Sequence, residues 1–264
     1  MSIKKYVFGS FKQSKIEVTD PDAQYFIDVA PIINYVQANA INTLVTSLKE
    51  KNIWDKMQAI YPFVGGTANT HKFNLKSPID ADSSFRITYF GIQEHNNKGM
   101  EFISGSYALT QFNFNRDSVI NDFHWSSYIR TATPCYLFQG GRCQLFNTIG
   151  VNGKMAAVSD LYDDSGSLNS RVMKENLDGK GYYLASKTLI NGRHSIYKNG
   201  NLLNINYGTQ GILNNNNVSI GSYLYGSDMS IISFATIGKG LTDNESLNLY
   251  KIIEEFQTSL GRQV

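Results

Sequence analysis

Cysteine, proline and long apolar runs are scarce in this 264-residue chain, which has two cysteines and five prolines. Two cysteines cannot build the disulfide framework of a small secreted scaffold. No apolar stretch approaches the roughly 18 residues that a membrane-spanning helix needs, so membrane insertion is not expected. Charge is thin as well: 17% of residues are charged and the net charge is +2. No basic cluster exceeds a lysine pair, which argues against a nucleic acid held through its phosphates. The apolar residues between Lys5 and Lys12 are too few for the core of a signal peptide.

Catalytic and metal signatures are also missing. His71, His95, His124 and His194 stand in four separate segments without zinc-ligand spacing. No Gly-x-Ser-x-Gly elbow occurs, and no aromatic strand carries the alternating carboxylates of a glycosidase. Glu94, Glu101, Asp117 and Asp122 are scattered instead. Asp160, Asp163 and Asp164 are the densest acidic group and the weak candidates for a calcium site. Their spacing is not that of an EF-hand loop, and solvated loop acids are the ordinary reading. Gly238-Lys239-Gly240 lacks the later glycine and the following strand of a phosphate-binding turn. No cofactor and no enzymatic activity are expected.

What is present falls into three parts. Residues 1–22 hold strand-like pieces at Tyr6 to Phe8 and Lys15 to Val18, and form an arm or anchor ending at Asp20-Pro21-Asp22. Residues 23–72 carry a helical signal in which Ile41, Leu44, Val45 and Leu48 line one face. A second short helix is predicted from Ile53 to Ile60, ended by Pro62 and the Gly65-Gly66 pair. Residues 73–264 consist mostly of short β-branched and aromatic runs bounded by Gly, Asn, Asp or Ser, the pattern of an antiparallel sandwich.

Predicted strands include 85–90, 107–114, 124–130, 181–187, 194–198 and 217–221. Asn199-Gly200 fits a type I′ hairpin, because both central residues of that turn take positive φ. Thr242 and Glu245 form a capping box for a final helix over 241–260, and Gly261 is placed to end it in the left-handed conformation. Cys135 and Cys143 flank a hairpin tip at Gly140-Gly141. A two-residue turn there pairs Phe138 with Cys143 and separates the sulfurs, whereas a longer or bulged loop restores a disulfide-capable register. Reduced thiols are the expectation.

Tyrosines set among Gly, Ser and Asn suit stacking on sugar rings. Tyr162, Tyr182, Tyr183, Tyr207, Tyr223 and Tyr225 are of this kind, and Tyr162, Tyr207, Tyr223 and Tyr225 are the glycan-binding candidates. Alternation along strands is expected to bury about half of such residues.

Three stretches resemble a module recurrent in bacteriophage structural proteins: Ala40 to Val45 running on to Tyr61-Pro62-Phe63-Val64-Gly65-Gly66-Thr67, His71 to Leu75, and Phe85 to Thr88. The tail from Ile237 to Gln263 resembles the ending of the same proteins. Trp125 to Thr131 and Tyr197 to Gly200 resemble strands of a laminin-G or concanavalin-like jelly roll. The resemblance covers residues 30–264 and implies a mostly β virion protein with a lectin-like sandwich on a fibre, spike or tail. It implies assembly in the bacterial host cytoplasm and location in the virion. It also implies homo-oligomers, contact with other virion proteins through the N-terminal region, and a host-surface glycan as ligand. A capsid decoration or spacer protein is the alternative, and a polysaccharide-degrading enzyme ranks third. The resemblance supplies no catalytic residue.

Overall fold

Asp20 accepts the backbone amides of Asp22 and Ala23, which starts α1 (Pro21–Val29) with proline in its first turn. The computed structural model describes residues 15–103, 105–119, 121–131, 133–140, 143–149, 155–163, 165–175, 178–208, 212–221 and 230–264. Helix α2 (Tyr35–Glu50) buries Ile41, Leu44, Val45 and Leu48 on the face the periodicity indicates. Residues 15–18 form no strand. Ile16 is instead buried among the helices, and the Val18 amide donates to the Gln24 side chain.

The predicted helix at Ile53 to Ile60 does not form. A 3₁₀ turn occupies Trp54–Lys56, and Met57–Tyr61 is strand β1. Apolar residues at Ile53, Met57 and Ile60 fit a helical face, but pairing with a distant strand decides the outcome. Gly65 and Gly66, at φ +85° and +69°, turn the chain after this strand, and α3 (Ala68–His71) follows.

The remaining elements in chain order are β2 (Thr88–Phe90), β3 (Gln93–Asn96), β4 (Gly99–Phe102), β5 (Tyr107–Asn113), α4 (Phe114–Asp117), β6 (Phe123–Ile129), β7 (Cys135–Gly140) and β8 (Cys143–Ile149). Then come β9 (Met155–Tyr162), β10 (Leu168–Glu175), β11 (Gly181–Lys187), β12 (Arg193–Lys198), β13 (Asn201–Tyr207), β14 (Asn217–Gly221), β15 (Ser230–Gly238) and α5 (Asp243–Ser259). The run predicted as a strand over 85–90 extends only from Thr88, because Phe85 sits in the left-handed region at φ 57°.

Among the described residues the strands form two antiparallel sheets. One has the order β13-β12-β11-β6-β15-β4-β3, with β1 added against β15. The other has the order β10-β9-β8-β7-β14-β5-β2. The protein is therefore mostly β, a two-sheet sandwich with a few helices. Trp125 and Phe138 stack at 5.8 Å across the space between the sheets, where Phe102, Phe112 and Ile196 are also buried. A second core lies on the far face of the first sheet, where Tyr128, Tyr182, Tyr197 and Phe234 pack against Phe26, Leu44, Ile253 and Phe256 of the helices. Burial of each such side chain contributes about 1.5–3 kcal/mol before its ordering cost.

Helical cover explains why all seven residues of β6 and all seven of β11 are buried. Tyr182 faces the helices and Tyr183 faces the other sheet, so the half-exposed alternation expected of these tyrosines does not occur. On the outer side of the second sheet Gln139, Gln144, Asp160 and Ser219 are also buried.

Local signals hold where chain neighbours decide them. Asn199 and Gly200 take φ 49° and 74°, and Lys198 pairs with Asn201. The Thr242 and Glu245 side chains satisfy each other's amides as a capping box, and Gly261 ends α5 at φ 63°. Gly238 lies where a Cβ would collide with the Lys56 carbonyl, and the Gly240 amide donates to Asp122 at 3.0 Å. Both glycines thus serve packing between β1, β15 and the entry to α5. In the β7–β8 hairpin, Gly140 pairs with Cys143 and Cys135 with Asn147. This register moves the tip one residue on from Gly140-Gly141 and settles the alternatives left open by the sequence, with both thiols free and buried.

Candidate functional site

The outer face of the second sheet is identified by alternation. Ala108, Val218, Phe138, Leu145, Leu161 and Val172 point into the space between the sheets. Their neighbours Leu109, Ser219, Gln139, Gln144, Asp160 and Arg171 therefore share the other face. The registers place these residues in one row across the strands, from Leu109 of β5 to Arg171 of β10.

At one end of that face Phe90 and Tyr107 are a cross-strand pair whose rings stack at 4.8 Å with 9° between their planes. Phe90 is 40% exposed. Tyr107, Leu109, Asn215, Asn216 and Asn217 line a groove of about 420 Å³. The row of asparagines, read from sequence as an ordinary surface loop, supplies amides to a groove that Tyr107 also lines.

Gln111 adjoins this groove through its hydrogen bond to Asn217. It is held at φ 63°, a region that costs a side chain of this kind about 1–3 kcal/mol. The strain coincides with an irregularity in the β5–β14 ladder, where Asn217 pairs with Asn113 but Ser219 pairs with Leu109. Such bulges re-aim a side chain. Here the Gln111 side-chain oxygen accepts from Asn217 Nδ2 at 3.1 Å, and its carbonyl accepts from Arg116 at 2.5 Å. Beyond Gln111 lies a second groove of about 500 Å³, lined by Asp82, Ser83, Phe85, Gln111, Arg116 and Asp117. Arg116 is paired to Asp117 through both Nε and Nη2, and Arg86 to Asp80 and Asp82. Lys72, with help from Arg86, holds the Asp80 carboxyl below its ordinary range.

An apolar ring face with amides along one edge matches a ligand that has a C–H face and hydroxyl edges. A sugar ring has that chemistry. The carboxylates nearby are committed to arginines, which does not suit an acid and base pair for hydrolysis.

The sequence-predicted residues are placed differently. Tyr162 lies at the end of β9, where its hydroxyl accepts from Arg171 at 3.5 Å. Tyr207 ends β13 on the other sheet and is 63% exposed. Tyr223 and Tyr225 lie outside the described residues. Asp160 accepts both Nε and Nη2 of Arg171, at 2.7 and 2.8 Å. Asp163 accepts the Ser165 hydroxyl and the Ser167 amide, which turns the β9–β10 tip and keeps its carboxyl below the usual value. Asp164 lies outside the described residues. Asp160 and Asp163 thus have separate partners, and no group of three or more His, Cys, Asp or Glu among the described residues could hold a metal ion.

Two histidines that are 24 residues apart meet in the fold. His71 Nδ1 lies 3.0 Å from His95 Nδ1. Burial, with His95 and Arg262 nearby, holds the His71 pKa well below its ordinary value. His194 bridges the sheets, between Ser170 at 2.9 Å and Ser159 at 3.0 Å, and burial depresses it to about 3. None of these three histidines is among the residues lining the two grooves. A separate apolar groove of about 280 Å³ runs between α2 and α5, lined by Val36, Leu44, Ile252 and Phe256 among others.

The Phe90–Tyr107 pair was within reach of the sequence, since both residues are aromatics in predicted strands. What was missing was the register that stacks them.

No protein-family model matches the sequence, and no curated protein matches it. Solved structures of the same architecture do match. The botulinum neurotoxin serotype D binding domain superposes with a TM-score of 0.53 at 12% identity, over 76% of this chain and 52% of that one. The binding domain of botulinum neurotoxin DC in complex with SialylT gives 0.53 at 14% identity, over 75% of this chain and 52% of the other. Domain 4 of AbnA, a GH43 extracellular arabinanase from Geobacillus stearothermophilus, in complex with arabinotriose, gives 0.50 at 16% identity, over 74% and 98%. The chain spans about half the length of the toxin domains it matches. At these identities the likeness is one of fold, a β-sandwich shared with domains that bind receptors or carbohydrate.

Proposed function

We propose that this chain is a non-enzymatic, lectin-like β-sandwich that binds a glycan through the groove beside Phe90 and Tyr107. The observation that carries this reading is the groove that Tyr107, stacked on the partly exposed Phe90, lines together with Asn215, Asn216 and Asn217. Solved sandwiches in complex with SialylT and with arabinotriose support it as neighbours in fold. The wider setting we propose is a bacteriophage virion appendage, a fibre, spike or tail component made in the bacterial host cytoplasm. That part rests on the resemblance of the stretches at Ala40 to Leu75 and Ile237 to Gln263 to phage structural proteins. In this setting the N-terminal region contacts other virion proteins, the chain forms homo-oligomers and the glycan belongs to the host surface.

A glycan array probed with the purified chain and with Tyr107→Ala tests the binding site. The expected result is a defined set of bound glycans, lost by at least about tenfold in the variant. Equal binding by the two proteins would place the ligand elsewhere, and silence from both would remove the lectin reading.

A second reading, a decoration or spacer protein using the fold only for subunit contacts, is favoured by the helical side. Val36 is 57% exposed beside the apolar groove between α2 and α5. A particle reconstruction separates the readings, because the spacer reading requires the Tyr107 groove to be covered by protein.

A further inference from the structure

We infer that the two grooves flanking Gln111 are adjacent subsites for one uncharged oligosaccharide, with Gln111 and Asn217 reading the link between successive sugar rings. The inference rests on the glycan reading above and specifies its ligand class.

The first support is continuity. Tyr107, Leu109 and the Asn215 to Asn217 stretch line one groove, Gln111 and Arg116 line the next, and the Asn217–Gln111 hydrogen bond stands between them. A ligand confined to one sugar would need only one groove. The second support is the backbone. Glutamine at φ 63° is a strained choice where glycine would be relaxed, and strain of this kind persists where the surrounding structure enforces it, often at ligand sites. The bulge aims the Gln111 amide at the boundary of the two grooves. Its Nε2 reaches only to Thr88 Oγ1, at the long distance of 3.5 Å, which leaves that donor available to a ligand acceptor.

The third support is charge. No charged side chain lines the first groove among the described residues. In the second, Arg116 is committed to Asp117 and to the Gln111 carbonyl, and Asp82 to Arg86. The charged lining of the second groove, Asp82, Asp117 and Arg116, sums to one negative charge, so a carboxylate-bearing sugar would meet net repulsion there. Hydroxyl groups can instead donate to those carboxylates without breaking the pairs, since each ionised carboxylate has about four acceptor positions. The site therefore selects a neutral chain over a sialylated terminus.

The experiment measures binding of the full chain to two probe sets: neutral hexose oligomers of one to six units, and sialyl-lactose in both common linkages. Affinity for the neutral series is expected to rise about tenfold from the single sugar to the tetramer, with no gain from a sialyl cap. Gln111→Gly is expected to flatten this length dependence. Glycine suits the left-handed position, so the variant folds at least as well as the parent. A tighter sialylated probe, or a length dependence unaltered by Gln111→Gly, overturns the inference and leaves the lectin reading standing. Silence towards every probe overturns both.

Discussion

Asn206 on β13 donates its side-chain amide to the backbone carbonyl of Arg171 on β10, at 2.7 Å, and so joins the edges of two different sheets. Asn204 repeats the contact two residues away, donating to the Met173 carbonyl at 2.8 Å. Edge strands offer unpaired backbone groups to other chains, and here side chains occupy part of that edge from across the sandwich. Replacing Asn204 and Asn206 together with alanine is expected to cost about 1 kcal/mol for each lost bond. Urea unfolding measures the loss, and light scattering of concentrated protein should show increased self-association. A variant that unfolds at the parental midpoint and stays monodisperse would mean the seam is decorative.

Gly200 presses the β12–β13 hairpin onto α5. A Cβ at this position would lie 2.7 Å from Tyr250 Cδ1 and 2.9 Å from Leu247 Cδ1, and the residue is at φ 74°. Gly200→Ala is therefore expected to destabilise the fold by about 1–3 kcal/mol through both conformation and overpacking. Thermal unfolding reads the effect. The further substitution Leu247→Ala, made to open space for the new methyl, should recover only the packing part.

Acid should weaken the fold before most carboxylates titrate. Burial depresses His124 to about 4 and His194 to about 3, from an ordinary value of 6.5. Both are neutral in the folded chain, so the unfolded state takes up protons first as pH falls below 6.5. Stability is complete above that value and declines below it, by about 1.4 kcal/mol per pH unit for each histidine. Urea midpoints at pH 7.5 and 5 should show the decline, and His194→Gln should reduce its slope by about one proton. An identical slope in the variant would contradict the assignment.

Arg262 fastens the end of α5 to the turn after β1. Its guanidinium donates to the Phe63 carbonyl at 2.9 Å and to the Pro62 carbonyl at 3.1 Å, at 2% exposure, and burial lowers its pKa to about 9. Arg262→Met keeps the packing volume but leaves two buried carbonyls without this donor. A loss of about 3 kcal/mol is expected. A loss under about 1 kcal/mol would indicate that water takes over both acceptors.

Sequence was most readable where the deciding atoms are chain neighbours. Asn199-Gly200, the Thr242–Glu245 box and the Gly261 stop are each settled within four residues, and each has the predicted geometry. Ile53 to Ile60 was misread because its partners, Ala235 to Gly238, are far away in the chain. Tyr182 was expected at a half-exposed alternation, yet the helices that bury it come from both ends of the chain. The groove was illegible for the same reason. Phe90 and Tyr107 adjoin only through the β2–β5 register, and Gln111 gives no sign in the sequence of its positive φ. Composition pointed to aromatics among asparagines, but the tyrosines it named and the pair the fold assembles are different residues.

The pairing of β1 with β15 also has a consequence in time. Met57 finds its partner at Gly238, and Tyr61 at Ala235, so nearly the whole sandwich is synthesised between the two halves of that ladder. Contacts of such long sequence separation slow folding, because the connecting chain must be closed before they reward it. Until β15 arrives, β1 and the inner flank of β6 are both unsatisfied edges. The helices α1 and α2 can form early, but they must wait for the surface they are meant to cover. The nascent chain thus passes through a long interval with its most apolar sheet incomplete, and its yield in a cell depends on what shelters that sheet meanwhile.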